Sequence, residues 1–337
     1  MNLIFEKLLK THPVITVIGM AKNTGKTTTL NRLIAEAELI RCRIGLVSTG
    51  RDGESTDVFT GREKPRIYAQ KGAYFAATEE SLGLCEAKIQ LRAMTECLTS
   101  IGKIVIAEVT EPGAVEICGP GSVDEMLDVV EQLRKEYGVK NVLIDGSINR
   151  MAIATTRLNA GVILATGAVL GDMEQVIEQT QLKVDLLQIR CVDAQIKTVV
   201  DKNRGRAGVL LIDKDRDVEV LDSSLLDNLS DVVEKITGQV SYLYASGSVT
   251  DMVIEQLLKK GRAVEIIVED AAMVHVSGLS YEKWLASGGM ITAVNKLNLL
   301  AVTCNPHNPM GNDFEPKEFL EAMRSSLNVP VYDVMIN

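Results

Sequence analysis

Lys26 is the residue around which chemistry can be built. It stands in Gly25-Lys26-Thr27, preceded by Lys22-Asn23-Thr24 and followed by Thr28. A lysine ammonium is a compact point charge with three donors, and a threonine hydroxyl is a hard oxygen. Side by side they suit the β- and γ-phosphates of a nucleotide and a Mg²⁺ ion that keeps several waters. Gly25 lets the backbone approach an anion with no Cβ in the way. Two carboxylates could complete the metal surroundings. Asp52 lies in Thr49-Gly50-Arg51-Asp52-Gly53-Glu54, and Asp145 lies in Leu143-Ile144-Asp145-Gly146-Ser147. Each follows an apolar run, so each is expected on a loop after a strand. Asp52 could touch the metal or orient an attacking water, and Asp145 could order the waters around Mg²⁺. Lys26 and Asp52 are therefore the catalytic candidates, and Thr27, Asp52 and Asp145 the metal candidates. An Asp beside glycine is also ordinary turn chemistry.

The elements that must position these groups are legible around them. Val14-Ile15-Thr16-Val17-Ile18 is a β-branched run that stops at Gly19. A polar loop follows, and then Leu30, Leu33, Ile34 and Leu39 give the apolar stripe of a helix. Strand, glycine loop and helix N-terminus in that order make an anion site, because the first N–H groups of a helix point outward with partial positive charge. The binding stretch is Gly19, Lys22, Asn23, Thr24, Gly25, Lys26, Thr27 and Thr28. The common spacing G-x-x-x-x-G-K-[ST] would place glycine at position 20, where Met20 stands; counting from Gly19 gives a loop one residue longer.

That longer loop resembles the one in the dethiobiotin synthetase and cobyric acid synthase group of P-loop proteins. Lys22-Asn23-Thr24-Gly25-Lys26-Thr27-Thr28 also resembles the molybdopterin-guanine dinucleotide accessory GTPases. Both belong to the class of the nitrogenase iron protein and MinD. Many members carry an extra lysine five residues before the invariant one; Ala21 is there, one step from Lys22, which argues against a role for Lys22 across a dimer interface. Beyond the loop, Thr49–Gly53 and Leu143–Ser147 make the chain similar to the P-loop subunit of the reactivating factor for lysine 5,6-aminomutase. The resemblance implies an ATP-dependent, chaperone-like protein that works with a MutS-like second subunit and releases damaged cobalamin from the mutase. It is compatible with a homodimer. The alternative it leaves open is a synthetase of the dethiobiotin or cobyric acid type, which phosphorylates a small carboxylate. The cationic groups for such a pocket, Arg51 and Arg150, are sparse.

Composition narrows the remaining classes. At 337 residues the chain can bury a full core in two domains. A formal charge of −9 argues against nonspecific binding to nucleic acid or anionic membrane. No apolar run is long enough to span a bilayer, no signal-peptide layout opens the chain, and the six cysteines form no C-x-x-C pair. A reduced, cytoplasmic protein is expected. The three histidines show no metal-ligand spacing.

The expected fold is α/β: a mainly parallel P-loop NTPase sheet with helices on both faces, then a second α/β domain. Residues 1–11 read as a short helix packed on the first domain. Strands are expected at Ile44–Val47, Ile104–Val109, Asn141–Asp145 and Gly161–Gly167. Shorter strands are read at Ile67–Ala69 and Tyr74–Ala76. Glu79 to Leu98 reads as a helix, as does the stretch to about Tyr137 that starts from the Ser122–Glu125 capping box. Glu111, on the loop after Val109, could face a ligand. Asp201–Gly208 is a polar break. It sets the domains at 1–200, nucleotide-binding, and 205–337, for a partner or ligand. In the second part strands are expected at Val209–Ile212, Ser241–Tyr244, Ala263–Val268, Leu299–Val302 and Pro330–Val334, with helices at 250–260 and 316–327. Thr303–Pro309 is one of three loops there that could converge on a ligand. Asn295-Lys296-Leu297-Asn298 departs from the guanine-reading N-K-x-D box at its last residue, which favours ATP over GTP. The loop Ser48–Glu54 is expected to order when γ-phosphate and Mg²⁺ are present.

Overall fold

The computed structural model describes residues 3–49, 51–52, 66–146, 156–206, 208–222, 224–225 and 227–336, with backbone alone at Arg51, Asp52 and Arg206. Its contacts divide the chain into two compact units, Met1–Gln181 with Asn298–Asn337, and Leu182–Leu297.

The first unit is built on a nine-stranded sheet. From one edge the strands are Val331–Tyr332, Asn298–Asn305, Gly161–Gly167, Val14–Gly19, Asn141–Gly146, Ile44–Ser48, Tyr74–Thr78, Gly102–Glu111 and Lys88–Thr99. The first seven run parallel, and the last two are antiparallel to their neighbours. The sheet is mixed and mostly parallel. Alternate residues of its central strands go to opposite faces. Ile15 and Val17 join Leu30, Leu33 and Ile34 of helix Lys26–Leu39. Val14 and Ile144 join Met126, Val130 and Leu133 of helix Val123–Lys135. Each large aliphatic side chain so buried contributes ~2 kcal/mol. The N-terminal helix Glu6–Thr11 is tied on through Glu36, which is fully buried and accepts from Phe5 N at 2.7 Å and Arg32 Nε at 2.7 Å.

The second unit holds a five-stranded sheet in the order Val218–Leu221, Val209–Asp213, Val240–Ala245, Glu265–Asp270, Met290–Asn295. The last three are parallel; Val209–Asp213 is antiparallel to both neighbours. Helices Ala194–Asn203, Leu229–Lys235, Asp251–Lys260 and Gly278–Ala286 accompany it.

Three sequence expectations give way here. Glu79–Leu98 is not one helix: a short helix, Glu79–Leu82, is followed by strand Lys88–Thr99. Gly83 follows that short helix, and Ile89, Leu91 and Ala93 then alternate with polar residues at the period of a strand. The domain boundary is not near residue 200, because helix Ala194–Asn203 and its continuation Arg204–Arg206 run through the polar break. Lastly, Asn298–Asn305 does not belong to the second unit. It pairs with Gly161–Gly167, from Gly161↔Asn298 to Gly167↔Asn305. Alternation of strand and helix along a sequence does not say which sheet a strand will join. Among the described residues no helix is long and apolar enough to cross a membrane.

Candidate functional site

Strand Val14–Gly19 runs between Asn141–Gly146 and Gly161–Gly167 and carries the chain to the carboxyl edge of the sheet. Met20 N donates to Ala165 O at 3.0 Å, which keeps the first loop residue on the neighbouring strand. The loop then closes on itself: the Thr24 hydroxyl donates to Ala21 O at 2.9 Å. A Cβ on Gly19 would sit 2.8 Å from Thr24 Oγ1 and 3.2 Å from Ala21 O, so the fold of the loop requires glycine there. Asn23 and Gly25 both take left-handed backbone, with φ of 64° and 89°. Gly25 is the N-cap of helix Lys26–Leu39 and brings no side chain to its first N–H groups; the first turn carries no acidic residue either. The positive end of a 14-residue helix is therefore left to an anion.

Lys26 Nζ lies 2.6 Å from Asp145 Oδ1 and 3.4 Å from Gly146 O. The parallel register Val17↔Asp145 brings these residues together, placing the end of strand Asn141–Gly146 beside the start of the loop. The Asp145 side chain is 1% exposed and that of Lys26 26%, so the carboxylate is buried and the ammonium reaches solvent. Thr49 N donates to Asp145 O at 3.0 Å, which binds the end of Ile44–Ser48 to the same point. Thr27 and Thr28 are half-buried, and Lys22 and Asn23 are exposed. Among the described residues no three His, Cys, Asp or Glu side chains converge on one point. Mg²⁺ takes one or two protein oxygens with phosphate oxygens and water, and the Thr27 hydroxyl and the Asp145 carboxylate are oxygens of that kind.

Of the sequence-read residues, Gly19 and Lys22 to Thr28 form one continuous cradle, and Asp145 joins it. Strand Arg51–Asp52 pairs antiparallel with Ile117–Cys118, setting Asp52 opposite Ile117. The Arg51 and Asp52 side chains, Gly50, Gly53, Glu54 and Ser147–Arg150 lie outside what is described. Glu111 is not part of the site. Strand Gly102–Glu111 runs antiparallel to Tyr74–Thr78, so its end lies on the opposite edge of the sheet, where Glu111 meets Lys88 at 2.9 Å. Gly119 does approach the carboxyl edge: a Cβ there would fall 1.6 Å from Ser48 O.

Sequence reasoning missed Asn305. It ends strand Asn298–Asn305, and its Nδ2 donates to Asn23 O at 3.0 Å. The signal was present in Thr303–Pro309, a polar loop after a strand, but the loop was credited to the other unit. Cys304 beside it is buried, and burial pushes its thiol up to about 12, which disfavours the thiolate.

The carboxyl edge of the second sheet carries a different cluster. Glu269 accepts from Arg204 at 2.6 Å, Asn295 Nδ2 at 2.8 Å and Tyr244 OH at 3.1 Å. Burial, followed by the Glu269 charge, pushes the Tyr244 hydroxyl well above its ordinary range. Next to it Asp270 is fully buried, and burial raises its carboxyl to about 6.

Comparison with family models, with curated proteins and with solved structures finds no match for this chain.

Proposed function

We propose that the chain binds ATP with Mg²⁺ at Gly19–Thr28 and couples its hydrolysis to a partner protein, the first unit being a P-loop NTPase sheet. The observation that carries this is the contact between Lys26 and the buried Asp145 at the uncapped N-terminus of helix Lys26–Leu39. A lysine at a helix start beside a strand-end aspartate is the arrangement a nucleotide triphosphate and its metal require. On this reading the Lys26 ammonium, partly open to solvent, turns from Asp145 to the β- and γ-phosphates. The Thr27 hydroxyl enters the metal surroundings, and Asp145 orders its waters. Asp52 is assigned to the metal and the attacking water from its sequence position. ATP is preferred to GTP: Asn295, first residue of the stretch nearest a guanine box, donates to Glu269 in the second unit.

The resemblance of the motifs to the P-loop subunit of the lysine 5,6-aminomutase reactivating factor supplies the rest of the proposal. The client would be a B12-dependent aminomutase, reached together with a MutS-like second subunit. Lys26→Ala tests the core of it. Removing a charged partner of the phosphates should weaken Mg-ATP binding roughly a hundredfold by calorimetry, at a temperature where the variant, destabilised by the unpaired buried Asp145, is still folded. Unchanged affinity would overturn the proposal. ATP turnover that rises only with the mutase supports the coupling. Turnover driven by a small carboxylate alone would instead make the chain a synthetase.

A further inference from the structure

We propose that Asn305 is a positioning residue that holds the glycine loop in its binding conformation and so sets its affinity for Mg-nucleotide. The inference rests on the reading of Gly19–Thr28 as a nucleotide site and deepens it. Asn305 reaches the loop from far along the chain, after the whole of the second unit, on a strand whose register ends at Gly167↔Asn305.

Both ends of its amide are used. Nδ2 donates to Asn23 O at 3.0 Å, and Oδ1 accepts from His307 N at 3.2 Å. The side chain also packs on Gly25: a Cβ added there would come within 3.0 Å of Asn305 Cβ and 3.4 Å of Cγ. Asn305 thus touches the two loop residues with left-handed backbone, Asn23 and Gly25. Left-handed conformations at single residues persist where the surroundings hold them. The strand that carries Asn305 is itself fixed to the unit near this point. Thr303 and Thr29 share a hydroxyl hydrogen bond of 2.8 Å, joining the strand to the helix that the loop opens. Asn308 Nδ2 donates to Ala168 O at 3.2 Å just beyond.

The consequence is preorganisation. A loop that presents its N–H groups to phosphate must be ordered either by the fold or at the expense of binding energy. Asn305 orders it by the fold. Its loss should leave chemistry intact and raise the ligand concentration needed to fill the site.

The test uses the full chain. Amide hydrogen exchange without nucleotide should show Met20–Thr27 less protected in Asn305→Ala than in the wild type. Calorimetry should show Mg-ATP bound about tenfold more weakly, the effect of one lost hydrogen bond and a looser loop. In steady state KM should rise by a similar factor with kcat within twofold, as expected for loss of uniform binding. Asn308→Ala, which does not touch the loop, should leave affinity within twofold. Should Asn305→Ala fail to fold, Asn305→Ser, too short to reach Asn23 O, replaces it. Equal loop protection in variant and wild type, or equal affinity, overturns the inference. A wild type that binds no nucleotide while the variant loop still loosens overturns the nucleotide reading and leaves the positioning role standing.

Discussion

The two sheets both end in charged groups at the carboxyl edge of parallel strands, and they treat those groups in opposite ways. In the second unit Glu269 is surrounded. One carboxylate oxygen takes Arg204 and Asn295, the other takes Tyr244, and Arg204 also meets Asp201 at 3.0 Å. The network closes on itself, and its product is a fixed arrangement of strand ends. In the first unit the charged pair stands at the head of a helix that has no capping side chain and no first-turn acid. A cluster of charge is therefore poor grounds for a binding site until its partners are counted: the richer cluster holds strand ends together, and the sparser one is the one proposed for recognition.

Exchanging the lesion between units is the most severe trial of that contrast. Lys26→Ala should cost roughly a hundredfold in Mg-ATP affinity, together with the stability lost by leaving the buried Asp145 without its cation. Glu269→Ala should cost stability alone. It leaves the buried Tyr244 hydroxyl and the Asn295 amide without their acceptor and Arg204 with Asp201 alone, at ~3 kcal/mol of stability, and leaves Mg-ATP affinity within twofold. Calorimetry and urea unfolding on both variants decide it. A Glu269 variant that loses nucleotide affinity would give that cluster a part in recognition and end the comparison.

Much of this was legible in the residues, for reasons that differ from element to element. The β-branched run Val14–Ile18 and the run Asn141–Ile144 are apolar on both faces, as strands inside a parallel sheet must be. Both were read within a residue or two. So were Gly161–Gly167 and the helix opened by the Ser122–Glu125 box, whose reciprocal hydrogen bonds are present. Lys88–Thr99 was misread although Ile89, Leu91 and Ala93 alternate with polar residues; most of its side chains face solvent, as suits an edge strand. Strand Met290–Asn295 and helix Gly278–Ala286 were passed over, although Ser277 caps that helix by accepting from Ser280 N. Within the site, local order gave Gly19 through Thr28, since neighbours in sequence share one loop. Asp145 followed because strand ends gather at one edge. Asn305 could not be reached that way: its place depends on which of two sheets takes strand Asn298–Asn305, and periodicity is silent on that choice.

Steric closeness offers a second trial of the contrast. The carboxyl edge of the first sheet is tight at Gly119, where a Cβ would meet the Ser48 carbonyl. In the second unit Gly247, on the loop after strand Val240–Ala245, has nothing within 4 Å of a Cβ. Gly119→Ala should therefore destabilise by ~3 kcal/mol as backbone is forced apart, and Gly247→Ala by less than ~0.5 kcal/mol. Similar urea midpoints for the two variants would show that the first edge can relax and is not held against its loops.

The smallest effect is expected at Asp270, and it separates the two buried carboxylates by their company. Asp145 faces a lysine. Among the described residues Asp270 faces none: its Oδ1 accepts from Ala272 N at 2.9 Å, its Oδ2 has no hydrogen-bond partner there, and Glu269 adds like charge. Burial therefore favours the protonated form and lifts its carboxyl from 3.8 to about 6. The folded state then holds a proton that the unfolded chain has released between about pH 4 and 6. Stability falls as pH rises through that window and stays reduced above it, by up to about 3 kcal/mol from this group. Asp270→Asn removes the ionisation but leaves an amide N–H with no acceptor, so a net gain of ~1–2 kcal/mol is expected at pH 7.5, reversing to a loss of up to ~1 kcal/mol near pH 4. Asp145→Asn should show no such gain, because the carboxylate it replaces has a cation beside it. Urea midpoints for each variant and the wild type at pH 4.5 and 7.5 give the answer. A gain for Asp270→Asn that is the same at both pH values would mean that the buried carboxyl does not take up a proton on folding.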